Sequence, residues 1–147
     1  MTKQTGGCLC GALRYTAVEA EPGPMTPEGL GACHCEMCRR QTGGVMLSIC
    51  VAPDGLTFED DSTLGVYASS DWAERGFCTR CGSSMFWRLT ADGPAKGLTM
   101  VTAGTLDDPS ALLLTHEVYI DTKPGGDAFV GPTHQMTEAE VLAAVNA

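Results

Sequence analysis

Cys33-His34-Cys35-Glu36-Met37-Cys38-Arg39-Arg40 places three thiols within six residues, with an imidazole between them and two guanidinium groups behind. Cysteines used as small core residues do not cluster this densely, and the spacing is that of a metal claw. Cys-x-Cys and Cys-x-x-Cys both let thiolates converge on one ion at about 2.3 Å from each sulfur, and in series they offer three ligands from one tight turn. His34 lies between two of these ligands, where an extended backbone turns its ring away from a metal shared by Cys33 and Cys35. It reads as a neighbour of the site and a proton carrier, not as a ligand. Three protein ligands with an open position are the pattern of a catalytic zinc, whereas four closed thiolates mark a structural one.

Two further motifs carry cysteines. Gly6-Gly7-Cys8-Leu9-Cys10-Gly11 is a glycine-bracketed Cys-x-Cys, and Arg75-Gly76-Phe77-Cys78-Thr79-Arg80-Cys81-Gly82-Ser83 has the form of a zinc knuckle. Together they divide the thiols into a closed structural site on Cys8, Cys10, Cys78 and Cys81 and an open one on Cys33, Cys35 and Cys38. Cys50 is left over in a strand, as a small packed side chain. A rival partition recruits Cys50 as the fourth ligand of the claw, which makes both sites closed and the protein purely structural.

The chain has 147 residues, enough for a hydrophobic core without obligatory metal staples, and residues 1–147 read as one domain. Hydrophobic residues make up 44%, which suits a soluble globular chain. The segment Met1 to Gly7 lacks the basic-then-apolar plan of a signal peptide, and the longest near-apolar run, Val45 to Ala52, is too short to cross a bilayer. A cytoplasmic protein without a membrane partner is therefore expected, and its eight cysteines point to reduced, metal-binding thiols and not to disulfides. Eighteen acidic residues against nine basic ones give a formal net charge of -9, which opposes attraction to a phosphate backbone and argues against a nucleic-acid partner.

Many short strands with glycine-rich turns predict a mainly β architecture. Leu13, Tyr15 and Ala17 alternate with Arg14 and Thr16 as a half-buried strand. Residues 19–32, rich in proline and glycine, predict a loop, followed by a helical turn from Met37 to Thr42 that ends at Gly43-Gly44. Strands are expected at Val45 to Val51, Leu56 to Phe58, Leu64 to Ala68, Ser84 to Leu89, Leu98 to Ala103 and Thr115 to Ile120. Thr137-Glu138-Ala139-Glu140 is a capping box that opens a short C-terminal helix, whose stripe of Val141, Leu142 and Val145 is expected in the core.

With these motifs in order, the chain resembles the glutathione-dependent formaldehyde-activating enzyme family, the CENP-V/GFA domain of the Mss4-like fold. The resemblance runs over roughly residues 6–120. It rests on Gly6 to Tyr15, on Cys33-His34-Cys35-Glu36-Met37-Cys38-Arg39-Arg40-Gln41-Thr42-Gly43, and on Arg75 to Ser83, with Gly104-Thr105-Leu106-Asp107-Asp108-Pro109 and His116 in agreement. It implies an Mss4-like fold of short antiparallel strands with zinc-binding knuckles, and two zinc ions per chain divided as above. It also implies a carbon-sulfur lyase that interconverts glutathione plus formaldehyde with S-hydroxymethylglutathione. Cys50 matches no family ligand. The loop from Glu19 to Gly31 is longer than the family pattern, and Lys123-Pro124-Gly125-Gly126 stands where many relatives carry a tryptophan soon after a lysine.

The chemistry expected of such a site is delivery of a glutathione-like thiol, held as thiolate on the three-cysteine zinc, to a small aldehyde. Three thiolates make zinc electron-rich, which favours thiol handling over hydroxide generation. Arg39 and Arg40 would neutralise the thiolates or clamp a substrate carboxylate, and His34 and His116 are the candidate proton carriers. Arg75 and Arg80 are expected to support the knuckle, and Trp72 and Trp87 to lie in the core. A non-catalytic, zinc-stabilised module that binds a thiol or a protein is the alternative, and a homodimer is compatible with either.

Overall fold

The computed structural model describes residues 2–146. Ten strands and two α-helices follow one another as β1 (Lys3–Gly7), β2 (Arg14–Glu19), β3 (Leu30–Cys33), α1 (Glu36–Thr42), β4 (Met46–Phe58), β5 (Leu64–Ser70), β6 (Ala73–Cys78), β7 (Ser84–Leu89), β8 (Thr99–Thr102), β9 (Leu114–Val118), β10 (His134–Met136) and α2 (Glu138–Val145). The strands form one sheet in the order β10-β9-β3-β4-β8-β7-β6-β5, and the β1–β2 hairpin joins it through β4.

β4 is the spine. The two strands expected at 45–51 and 56–58 are one, carried past Pro53 by a left-handed Asp54 with φ of 60°, a conformation that a short polar side chain tolerates. Its first half pairs with β3 and β8, and its second half with β2. Its first half, so enclosed, is covered on both faces. Ile49 and Val51 face the main core with Leu13, Tyr15, Phe86 and Val101, while Cys50 packs on the other side with Leu89 and Leu98. Strand alternation therefore sorts these residues between two apolar layers and not between core and solvent.

The mainly β expectation holds, with differences in detail. Pairing is not antiparallel throughout, because β9 runs parallel to both β3 and β10. The segment expected as a loop over 19–32 contributes the end of β2 and the first three residues of β3. Its prolines are confined to the stretch between, where Gly23 and Thr26 close a small bridge. β1, β6 and β10 had no strong apolar alternation to announce them; they exist because a neighbouring strand supplies their hydrogen bonds. α2 has the expected capping box, with Thr137 accepting from Glu140 N–H and Glu140 accepting from Thr137 N–H. Its apolar stripe is not in the core: Leu142 and Val145 are exposed. Trp72 is likewise partly exposed, edge-on to Trp87 at 5.9 Å.

The outer strands are held by close approach as much as by side chains. Gly76 of β6 lies over the fully buried Phe86 ring of β7, and a Cβ at that position would fall 2.2 Å from a ring carbon. The ring is enclosed by the core and cannot retreat. Gly76→Ala is expected to destabilise the protein by about 1–3 kcal/mol, read as a lower midpoint of urea unfolding at unchanged slope.

Candidate metal centre

Two groups of cysteine sulfurs converge, each with its sulfur atoms within 4.8 Å of one another: Cys8, Cys10, Cys78 and Cys81, and separately Cys33, Cys35 and Cys38. This is the division expected from spacing. Cys50 belongs to neither group. It is buried against Leu89 and Leu98, and burial pushes its thiol pKa up to about 12.

The four-cysteine group sits where two tight turns meet. Gly11, at φ of 79°, donates its N–H to the carbonyl of Cys8, and Gly82, at φ of 79°, donates to the carbonyl of Cys78. Both glycines adopt the left-handed conformation that a side chain would strain. Cys8 and Cys10 sulfurs lie 3.6 Å apart, and Cys10 and Cys78 sulfurs 3.9 Å apart. Four bonds of about 2.3 Å in a tetrahedron need sulfurs about 3.8 Å apart, so these two separations are compatible with a metal bound by four thiolates. The sulfurs also have donors: Leu13 N–H to Cys8 at 3.2 Å, and the Ser83 hydroxyl 3.2 Å from Cys81. The Ser83 contact leads the causes that lower the Cys81 thiol pKa to about 5. Ser83 Oγ also accepts from Leu9 N–H at 2.9 Å and so ties one turn to the other.

The three-cysteine group is assembled by β3 and α1. Cys33 ends β3, opposite Met46 of β4 and Val118 of β9. Cys35 is the N-cap of α1, its sulfur accepting from Cys38 N–H at 3.3 Å, and Gly43 closes the helix in a left-handed C-cap. One sulfur thus serves both helix geometry and the cluster. Hydrogen bonding among the three sulfurs holds Cys35 far below the usual thiol range and drives Cys33 far above it. The three sulfurs cannot all ionise at this separation without a cation among them, and a trio of soft thiolates suits zinc.

The charged residues near the claw are arranged differently from expectation. Arg39 is exposed on α1, and Arg40 pairs with Glu36 on the same helix at 2.9 Å. Arg75, expected at the knuckle, instead reaches the claw: it is buried, with Nη1 3.5 Å from the Cys38 sulfur. Arg80 is exposed. His34 is 1% exposed and points into the protein, donating Nε2–H to Glu117 Oε1 at 2.9 Å, with its ring tilted against Phe129. Its Nδ1 is buried without a hydrogen-bond partner, 3.9 Å from an oxygen of Asp127. His116 packs its ring over Gly31, where a Cβ would lie 2.2 Å from Nε2, and contacts the Thr115 hydroxyl at 3.0 Å; burial, with the charge of His134, lowers its pKa.

Glu117 is the residue the sequence reading missed. It is 2% exposed and accepts from His34, from Lys123 Nζ at 3.3 Å, from Gln135 Nε2 at 3.1 Å and from the Thr133 hydroxyl. Burial would raise its pKa, but these four donors outweigh it and bring the carboxyl down to about 2. The carboxylate therefore binds the residue between two claw cysteines to the segment that leads into β10. The motif residue Asp107 has a simpler role. It receives both guanidinium nitrogens of Arg14, at 2.9 and 2.6 Å, and fastens the turn after β8 to β2.

A family model described as glutathione-dependent formaldehyde-activating enzyme matches residues 3–122. The chain is 29% identical over 145 residues to an uncharacterized lyase of Schizosaccharomyces pombe, covering 99% of this chain and 98% of that protein. It is 30% identical over 88 residues to a protein of Halomonas elongata provisionally named as a glutathione-dependent formaldehyde-activating enzyme, covering 55% of this chain and 53% of that one. Lys123, Thr133 and Gln135 lie beyond the span of the family model.

The depressed pKa of Glu117 has a definite sign. Its contribution to stability is complete above its ordinary value of 4.5 and is lost as pH falls from there toward about 2. Glu117→Gln is expected to remove this acid-dependent part, on the order of 3 kcal/mol. The check is the difference between wild-type and variant urea midpoints at pH 7 and at pH 3, which should shrink at the lower pH.

Proposed function

Because the chain belongs to the glutathione-dependent formaldehyde-activating enzyme family, we propose that it is a zinc-dependent carbon-sulfur lyase acting on a thiol and a small aldehyde. In the forward direction the thiolate sulfur bonds to the aldehyde carbon, the carbonyl electron pair moves to oxygen, and that oxygen takes a proton. The reverse breaks the carbon-sulfur bond of the hemithioacetal. Glutathione and formaldehyde are the substrates implied by the family and by the name of the Halomonas relative. The reading carries with it a reducing, cytoplasmic setting and residues 1–147 acting as one domain.

The observation that carries this reading is the unequal pair of sulfur groups. One group has four sulfurs, enough to fill a tetrahedral site, whereas the other has three, with no fourth cysteine, histidine or carboxylate joining it among the described residues. We assign a structural zinc to Cys8, Cys10, Cys78 and Cys81 and a catalytic one to Cys33, Cys35 and Cys38, two ions per chain. Zinc on the three cysteines would take a substrate thiol as its fourth ligand and keep it deprotonated near neutral pH.

The surrounding residues fit the remaining tasks. Glu117 can only accept at its pKa, so it holds the proton of a neutral His34 on Nε2 and fixes the ring between the two claw cysteines in one orientation. The Thr122 hydroxyl donates to the His34 carbonyl at 3.1 Å and His34 N–H donates to Val118 at 3.1 Å, so the backbone between Cys33 and Cys35 is held on both sides. Arg39, exposed on α1, remains available to the carboxylate of a bulky thiol.

Thiols add to formaldehyde unaided, so the test must measure acceleration. Zinc-loaded wild-type protein is expected to speed both formation and cleavage of S-hydroxymethylglutathione over the protein-free rate. Cys38→Ser should return the rate to that background while keeping the metal of the four-cysteine group. Absence of acceleration with several thiols and aldehydes would leave a thiol-binding module without turnover.

A further inference from the structure

We propose that Arg75 supplies the positive charge that lets the three-cysteine group hold a divalent metal as an electrically neutral unit, and so sets how tightly that group retains it. This rests on the two-site reading above. Arg75 is 4% exposed, in the middle of β6, between Tyr67 of β5 and Trp87 of β7 in the pairing register. Among the described residues no carboxylate lies within ion-pair distance of it, its side-chain contact is Nη1 to Cys38 Sγ at 3.5 Å, and its Nε–H is buried without an acceptor. A guanidinium stays charged at any relevant pH, and a buried charge without a counterion is strongly destabilising. The thiolates are the counterion on offer.

The charge balance supports the pairing. Three thiolates outweigh a divalent ion by one negative charge, and one guanidinium cancels it. Other nearby cations are engaged or remote: Arg40 with Glu36, Lys123 with Glu117, and Arg39 exposed. The four-cysteine group makes an informative contrast. Its bound form would carry a larger excess of negative charge, yet Cys10 is exposed to water and the sulfurs have N–H and O–H donors, with no arginine among them. No claw cysteine is exposed as Cys10 is, so water reaching Cys10 does at that group what Arg75 does at the claw.

The test is uptake of cobalt(II), then displacement by zinc, in the reduced, metal-free full-length chain. Thiolate-to-cobalt absorption follows each ion. Wild type is expected to take two ions, and R75M to keep the tighter one unchanged while its second affinity falls about 10- to 100-fold. R75K, which keeps the charge, should recover most of that loss. Equal second-ion affinity in R75M and wild type overturns the proposal and leaves the two-site reading intact, as does a loss in R75K as deep as in R75M. Wild type taking up one ion overturns the two-site reading and the proposal with it. Should R75M lose both ions through misfolding, R75K and R75Q decide: retention in the first and loss in the second support the proposal, and equal affinity overturns it.

Discussion

Cys10 and Cys78 stand 68 residues apart in the chain, and their sulfurs lie 3.9 Å apart in space. The β1–β2 hairpin pairs with only one half of β4 and would otherwise be a lightly attached flap on a large sheet. Joining its tip to the β6–β7 turn closes it over the main core, so that Cys8 and Cys78 are themselves members of that core. Leu13, Tyr15 and Ala17 then become fully enclosed, and the second half of β4 gains its neighbour. Long-range pairing of this kind is costly in chain entropy, and a metal bound by all four thiolates would offset it directly.

The claw depends on a different principle, enclosure of charge. Its sulfurs are gathered by a strand end and a helix start, and the residues around it are a buried guanidinium on one side and a buried carboxylate, reached through His34, on the other. Each would be unfavourable alone. They form two separate sets, Arg75 with the Cys38 sulfur and His34 with Glu117 and Lys123, joined by the backbone of residues 33–38. Two atoms of this group, His34 Nδ1 and Arg75 Nε, are buried without a hydrogen-bond partner, so its polar demand is met only in part.

The sulfur sites were legible because ligand geometry forces local spacing. Cys-x-Cys and Cys-x-x-Cys can converge only on tight turns, so the motif and its glycines are written in adjacent residues. Helix α1 and the capping box of α2 are equally local. Arg75 and Glu117 carry no such signature. Each is a charged residue in a strand, a position ordinarily read as solvent-facing, and its partners sit on elements distant in sequence. The one available signal was negative: neither has an opposite charge at a cross-strand position that would hold it at the surface. The stripe of α2 misled for the converse reason, since apolar residues at helical spacing state what could be buried and not whether anything is there to bury it.

Cys35 does two jobs with one atom: its sulfur caps the first turn of α1 and is one of the three that converge. A thiolate accepts the Cys38 amide well, whereas a disulfide or alkylated sulfur accepts it poorly. Cys38 in turn supplies another sulfur of the same group and holds the carbonyl bonded by the Thr42 hydroxyl at the far end of the helix. Chemical damage at the claw is therefore also loss of a helix start, and the order of residues 36–42 becomes a reporter of the redox and metal state of the centre, readable through backbone amides without any label.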